Sequence, residues 1–367
     1  MKESSCCCQK PVDRMENEQQ SSSLPIENYI DTPVGKIPVV STNLTIGDRL
    51  GFIRMRWGIG RMRYRIDSGL YAVGKPTPDS IVLVSANYRM SFDLLRSKLE
   101  GIDAWIMVLD TKGINVWCAA GKGTFGTEEI MRRIKTLDLE KVVSHRKLIV
   151  PQLGAPGIKA HEVKKVSGFR IIYGPIRADD IKQFVDSDFK ATKDMRLVTF
   201  NLKERASLIP VEFMTSLKYL IPVGLFFFIR GGFGEDGFTF SNLVIYGLLD
   251  SIKFFFLIFV LFALNPILLP WLPGKALSVK GVWVGLAVVL FMVFWVNSFD
   301  GSFKNWLGLS GWLFIIPAIS SFISMNFTGA TTYTSLSGVK MEMRIAVPFQ
   351  IISLIIGFGL ALAGIFT

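Results

Sequence analysis

The sequence predicts a chain in two parts, an α/β head built on a mainly parallel sheet and then an all-α membrane domain of five transmembrane helices. Three observations carry that expectation. Half of the 367 residues are hydrophobic and the mean hydropathy is +0.39, too apolar for an ordinary soluble enzyme. Up to about Ala206 the chain is charged and patterned like a globular domain, whereas beyond it apolar segments of spanning length alternate with short polar loops. Within the head, β-rich apolar runs alternate with amphipathic helices, the pattern of a sheet covered on both faces.

Residues 1–25 are polar and rich in Ser, Gln and Glu, which predicts a disordered tail, and they contain no apolar core of a cleavable signal peptide. The tail holds three of the four cysteines, Cys6, Cys7 and Cys8. They read either as part of a solvent-exposed tail without structural consequence or as a soft-metal (mercury) or acylation site. With one cysteine in the ordered part, a disulfide framework is not expected, which suits a reducing compartment. The net charge of +11 does not argue for nucleic acid, because no nucleic-acid motif accompanies it. Arg54, Arg56, Arg61, Arg63 and Arg65 are interleaved with Trp57 and Tyr64, a stretch that reads as solvated surface or as a neighbour of anionic lipid headgroups.

The head is expected over 40–205. IVLVSA (81–86) and AWIMVLD (104–110) read as buried strands, and SFDLLRSKLEG (91–101) as a helix ended by Gly101. A turn at 110–113 leads into INVW. TEEIMRRIKTL (127–137) reads as a helix with Thr127 as N-cap and Glu128 and Glu129 at the positive end of its dipole. KLIVPQ (147–152), FRIIYGP (169–175) and MRLVTF (195–200) read as further strands, and ADDIKQFVDSDF (178–189) as a helix.

Ligands of such sheets bind at the carboxyl ends of the strands. Those ends read SANY (85–88), NVWCAAGKG (115–123), PQLGAPG (151–157) and YGPIRADD (173–180), and small residues there let a large flat ligand approach the backbone. Cys118, the lone cysteine of the ordered part, lies on this edge, with Lys122 four residues on as a group able to favour a thiolate. Taken without its context, such a cysteine reads as an inert buried thiol.

Other chemistries are poorly supported. GKGTFG (121–126) satisfies G-x-G-x-x-G, but the acidic residue that a dinucleotide site needs about 20 positions on is missing from VSHRKLI (143–149). Lys122 is followed by Gly123, not Ser or Thr, so there is no Walker A loop. His145 and His161 each sit among basic residues without a partner at metal-ligand spacing, and they read as exposed surface.

Beyond the head, spans are expected at about 211–229, 241–264, 281–297, 310–326 and 345–366, within the domain 211–367. Lys275, Lys280, Lys340 and Arg344, together with Arg196, Lys203, Arg205 and Lys218, fall on one side. The positive-inside rule then places the head in the cytoplasm and the C-terminus outside a multi-pass cytoplasmic membrane protein. Asp250 and Lys253 interrupt the second span. A lone acid there costs roughly 3 kcal/mol, so they are expected to pair three residues apart, or else 240–250 is interfacial.

NVWCAAGK at 115–122 resembles, at every position, the signature of the mercury-methylating corrinoid protein family HgcA. SANY, PQLGAPG, GPIRA (174–178) and the five spans extend the resemblance over both halves. The polar segment FTGATTYTSLSGVKMEM (327–343) is similar to one in the large subunit of the corrinoid iron–sulfur protein. The Cys-rich tail departs from the family.

The resemblance implies a Rossmann- or flavodoxin-like corrinoid-binding domain with cobalamin-type cobalt, whose lower axial ligand is a cysteine on a short cap helix. That role falls on Cys118, with Asn115, Val116, Trp117 and Lys122 shaping the cap. Ala119, Ala120 and Gly121 would keep the lower face of the ring clear. Ser85, Asn87, Gln152, Gly154, Ala155 and Gly174 complete the expected cofactor-binding set. The implied activity is a methyltransferase that passes a methyl group from methyl–Co(III) to inorganic Hg(II), with the thiolate tuning the cobalt. The implied partners are a ferredoxin-like protein with two 4Fe–4S clusters as reductant, a methyl-folate-type donor or its methyltransferase, and membrane lipid. Two alternatives stay open: a corrinoid methyl carrier of one-carbon metabolism with a non-mercury acceptor, and a non-catalytic membrane receptor.

Overall fold

A computed structural model of the chain describes residues 24–234, 237–295, 303–330 and 336–366. Cys6, Cys7 and Cys8 lie outside the described residues. The chain divides into two compact units, one ending at Gly51 and resuming over Gly60–Arg196, the other formed by Phe52–Ile59 and the chain from Leu197 onward.

The first unit is built on seven strands: β1 (Ile26–Thr32), β2 (Gly35–Val40), β3 (Leu70–Val73), β4 (Ile81–Ala86), β5 (Ala104–Leu109), β6 (Lys147–Val150) and β7 (Arg170–Tyr173). Their order is β1-β2-β3-β5-β4-β6-β7. Strands β5, β4, β6 and β7 are mutually parallel, β3 runs antiparallel to β5, and β1–β2 is an antiparallel hairpin. The sheet is therefore mixed, with a parallel part that holds four of the five strands expected from sequence. All six residues of β5 are buried, as a strand covered on both faces requires.

One face packs Val84, Trp105, Met107 and Val150 against Ile130 and Ile134 of α4 (Thr127–Thr136), Leu139 of the short α5 (Leu139–Val142) and Val163 of α6 (Ala160–Ser167). The other packs Leu83, Ile106 and Ile149 against Phe92 and Leu95 of α2 (Arg89–Arg96) and Phe184 of α7 (Ile181–Asp186).

Three expectations are corrected. The stretch 195–200 is not a strand: Asp194–Arg196 forms a single 3₁₀ turn that drops Met195 into the core, with one backbone bond from Ile176 N–H to Met195 O at 2.9 Å. The sheet grows instead on its other side, through β1–β3, so it begins at Ile26 and not near residue 40. Thr127 is the first residue of α4 and Gly126 its N-cap, because the Thr127 hydroxyl instead accepts Lys159 N–H at 2.8 Å.

Helix α1 (Ile46–Arg56) is tied to α2 by a closed set of buried charges. Arg89 donates to Asp93 Oδ2 at 2.7 Å and to Asp48 Oδ1 at 2.8 Å, and Arg96 donates to Asp93 Oδ1 at 2.8 Å and to Asp48 Oδ2 at 2.7 Å. The second guanidinium also donates to the carbonyls of Ser41 and Asn43. Burial alone would raise the Asp48 carboxyl, but hydrogen bonds from Thr45 and the charge of Arg96 outweigh it and hold it below the ordinary carboxylate value.

The second unit contains a short α8 (Leu202–Ala206), α9 (Ile209–Arg230), α10 (Phe240–Asn242), α11 (Leu248–Leu268), α12 (Leu277–Trp295), α13 (Phe303–Asn326) and α14 (Leu336–Phe366). Among the described residues, five stretches are long and apolar enough to cross a membrane: Leu202–Arg230, Phe240–Leu268, Leu277–Phe294, Leu309–Asn326 and Gly338–Ala363. Small residues let the helices approach, as a Cβ on Gly285 would stand 2.4 Å from the Pro317 backbone and one on Gly311 2.7 Å from Gly357 O. Asn265 Nδ2 donates to Ser320 Oγ at 3.0 Å and Gln350 Nε2 to Ser321 Oγ at 2.7 Å, stitching α11 and α14 to α13. Asp250 meets Lys253 at 3.5 Å, the expected pair, and also Arg230 of α9 at 3.4 Å.

Candidate functional site

The carboxyl ends of the parallel strands are held by one side chain that serves two loops. The turn after β5 has Lys112 and Gly113 in the left-handed region, at φ 59° and 73°. Asn87, directly after β4, pins it: Asn87 Oδ1 accepts the N–H groups of Thr111 at 3.1 Å and Gly113 at 2.9 Å, and Asn87 Nδ2 donates to Asp110 Oδ1 at 3.1 Å. Asp110 also accepts from Lys112 Nζ at 2.7 Å and from Lys112 N–H at 3.1 Å. Burial pushes the Asp110 carboxyl up, yet the Lys112 hydrogen bonds and charge and the Asn87 amide bring it below its ordinary value.

This turn delivers α3 (Val116–Lys122). Asn115 is its N-cap, with Oδ1 accepting Cys118 N–H at 2.9 Å, and Gly123 at φ 80° ends it. Cys118 is a free, exposed thiol in the first turn. It is not the buried cysteine that type alone suggests. Trp117 (47% exposed), Cys118, Gly121 and Lys122 form the outward face, whereas Ala119 and Ala120 are buried in the core of the head. The two alanines therefore differ from their expected place beneath a ligand. Gly121 does have open space, since a Cβ there would meet nothing within 4 Å.

The small side chains of α3 serve close packing on the loop after β6, a 3₁₀ segment Gln152–Gly157. A Cβ on Gly157 would stand 2.2 Å from Phe125 O and 3.2 Å from the Ala120 backbone, and one on Gly154 2.4 Å from the Phe125 ring. GKGTFG thus has a structural explanation: Gly123 caps α3, Phe125 is buried, and Gly126 closes on Gly123 O, where a Cβ would stand at 2.8 Å.

The other expected site residues are spread along the same edge. Ser85 and Gly174 line a cleft with Pro151, Pro175 and Arg177, at the ends of β4, β6 and β7. Gln152 Oε1 accepts from Arg196 Nη1 at 3.1 Å, and Ala155 sits half-buried in the 3₁₀ segment. Asn87 has both ends of its amide engaged by the neighbouring loop, so it is a positioning residue. Sequence reasoning overlooked Asp110, Thr111 and Gly157; the DTKG turn at 110–113 was the available signal for the first two. Among the described residues, no group of three or more His, Cys, Asp or Glu side chains could hold a metal ion.

Comparison with known proteins gives a family match over this part of the chain and several relatives. Residues 59–185 match the CdhD family model, described as CO dehydrogenase/acetyl-CoA synthase delta subunit. The acetyl-CoA decarbonylase/synthase complex subunit gamma of Methanopyrus kandleri is 29% identical over 125 residues, 34% of this chain and 27% of that protein. Its counterpart in Archaeoglobus fulgidus is 28% identical over 131 residues, 35% of this chain and 27% of the relative. The corrinoid/iron-sulfur protein large subunit of Moorella thermoacetica is 27% identical over 122 residues, 33% of this chain and 27% of that protein. The chain thus spans about a quarter of the length of these curated relatives. The segment from β3 to α7, which carries every loop of the candidate site, is similar to the CO dehydrogenase/acetyl-CoA synthase delta subunit family, and the five apolar helices lie outside that match.

Proposed function

We propose that the chain is a corrinoid-dependent methyltransferase that methylates inorganic Hg(II), in which the sulfur of Cys118 would hold the cobalt of the cofactor. The observation that carries this reading is an exposed thiol, in the first turn of a capped helix, at the carboxyl edge of a parallel sheet. Strands β3 to β7 of that sheet lie within residues 59–185, which match the CdhD family model, and the chain is 27% identical over 122 residues to a corrinoid/iron-sulfur protein large subunit. The full NVWCAAGK match supports mercury as the acceptor.

The residues fit such a cofactor in the chemistry of the donor. A soft sulfur suits a transition metal, and a corrinoid macrocycle would itself supply further cobalt ligands. When bound, the corrinoid supplies a redox-active cobalt able to accept and donate methyl groups. Asn115 fixes the first turn of the helix on which Cys118 is exposed, and the Cys118 sulfur would be the protein's donor to the cobalt. Gly121 leaves room one turn further along the same face, and Trp117 offers a flat apolar flank. The remaining expected contacts, from Val116, Lys122, Ser85, Gln152, Gly154, Ala155 and Gly174, belong to this proposal. So do a reductant carrying two 4Fe–4S clusters and a methyl-folate-type donor.

The apolar helices fit a bilayer, with the head cytoplasmic and the C-terminus outside. Within an apolar 18-residue stretch of the first and of the last candidate span, only 6% and 11% of the residues are buried within the protein, which leaves apolar surface suited to lipid.

A second reading, a methyl carrier with a non-mercury acceptor, is favoured by the named relatives. The deciding experiment uses full-length protein with its reductant. Cobalt absorbance is recorded and methyl transfer to Hg(II) and to thiol or folate acceptors is compared, in wild type, Cys118→Ala and Cys118→Thr. Mercury methylation is expected to vanish in the alanine variant, while the threonine variant retains corrinoid and loses most activity. Full activity in Cys118→Ala overturns the axial-ligand role. Transfer to the other acceptors alone selects the carrier reading, and a colourless, cobalt-free protein rejects both in favour of a receptor.

A further inference from the structure

Helix α1 presents a stripe of apolar residues outward. Ile46, Leu50, Ile53 and Trp57 recur at helical spacing and share a face about 60° wide, at about 100° per residue. They are 79%, 55%, 55% and 39% exposed. Trp57 keeps the register past the end of the helix, because its N–H donates to Ile53 O at 3.0 Å. The opposite face holds Asp48, Gly51 and Met55, all buried. Exposed Arg49 and Arg56 flank the stripe on one side and exposed Arg54 on the other, and no acidic residue occurs from Arg49 to Ile66.

An apolar stripe edged by arginines is the composition of a helix that lies in a bilayer interface. Its surroundings agree. Phe52–Ile59 belongs to the same compact unit as the apolar helices. A Cβ on Gly58 would stand 3.8 Å from Val211 Cγ2, and Val211 is in the first turn of α9, near the start of the span Leu202–Arg230. That start carries two basic and two acidic residues, Lys203, Glu204, Arg205 and Glu212.

We infer that α1 is a membrane-surface helix: Ile46, Leu50, Ile53 and Trp57 enter the boundary between headgroups and acyl chains, and Arg49, Arg54 and Arg56 bind anionic lipid phosphates. The inference rests on the reading that the apolar helices cross a bilayer. The uniformly positive rim and the position beside the start of a span favour lipid over a protein partner.

The test places full-length protein in nanodiscs of phosphatidylcholine, with or without phosphatidylglycerol, with photoreactive benzoylphenylalanine replacing Ile53 or, in a separate sample, Phe256. Both sites are exposed, and Phe256 reports the crossing of α11. Lipid adducts at both positions are expected, with the yield at 53 rising when phosphatidylglycerol is present. Changing Arg49, Arg54 and Arg56 to Gln is expected to lower the docked-to-undocked ratio about fivefold per residue. Adducts at 256 but not at 53 overturn the inference and leave the membrane reading intact. No adduct at either position overturns both. A protein adduct at 53, or a yield indifferent to lipid charge and to the arginines, also overturns it.

Discussion

Asn115 Oδ1 accepts the backbone N–H of Cys118 at 2.9 Å, so the residue that starts α3 also fixes the residue that carries its thiol. Removing the cap in Asn115→Ala should cost about 1 kcal/mol of helix stability. The expected result is loss of corrinoid retention with Cys118 still in place, whereas Asn115→Asp keeps it. Cobalt absorbance after gel filtration and a thermal melt check this; unchanged retention in the alanine variant would show that the cap is irrelevant to the site.

Gly157 and Gly121 should respond oppositely to one added methyl group. Gly157→Ala forces a Cβ onto backbone atoms at 2.2 Å and 3.2 Å, and overpacking of this kind costs about 1–3 kcal/mol. Its melting temperature should fall. Gly121→Ala meets no neighbour, so its melt should stay unchanged while cobalt binding weakens. A normal melt for Gly157→Ala would contradict the packing of α3 on the 3₁₀ segment.

Asp48→Asn breaks a buried ionic set and leaves guanidinium charge uncompensated. Removing one partner of such a pair costs about 3–5 kcal/mol. A large drop in the denaturation midpoint of the head is expected, measured by circular dichroism in the full-length protein. Arg54→Gln, on the exposed side of the same helix, should leave that midpoint within error.

The Asp110 turn should loosen in acid. Its folded carboxyl lies below its unfolded value, so the stability it contributes is fully present above the unfolded value of about 3.9 and is lost as pH falls through the lower folded value. Exchange protection of the Thr111 and Gly113 amides, corrected for intrinsic rates, should therefore decline below about pH 4 in the wild type. Asp110→Asn should show weaker protection at neutral pH and little change on acidification.

The parallel part of the sheet was legible because continuous apolar runs such as AWIMVL have few alternatives once Gly and Pro bound them. The hairpin β1–β2 was not: the burial of β1 follows no alternation, and Gly35, Lys36 and Pro38 depress the strand signal of β2. At the site, Cys118 was placed on the correct edge, but the roles of its neighbours depend on which way a one-turn change of backbone points them. Ala119 and Ala120 look like cleared space in sequence and are core in the structure. Gly157 looks like any loop glycine until Phe125 O is set against it. Such pairings join residues more than 30 apart, and local pattern does not record them.

The four charges beneath α1 have a consequence for rotation. Two carboxylates facing two guanidiniums are neutral as a set, so their net contribution to stability is small, while their geometry is satisfied at only one angle of the helix about its own axis. A greasy replacement of similar volume would bury equally well at several angles, including those that turn Ile46 and Leu50 inward. The ionic set therefore works as a key in a lock, deciding which side of the cylinder looks outward.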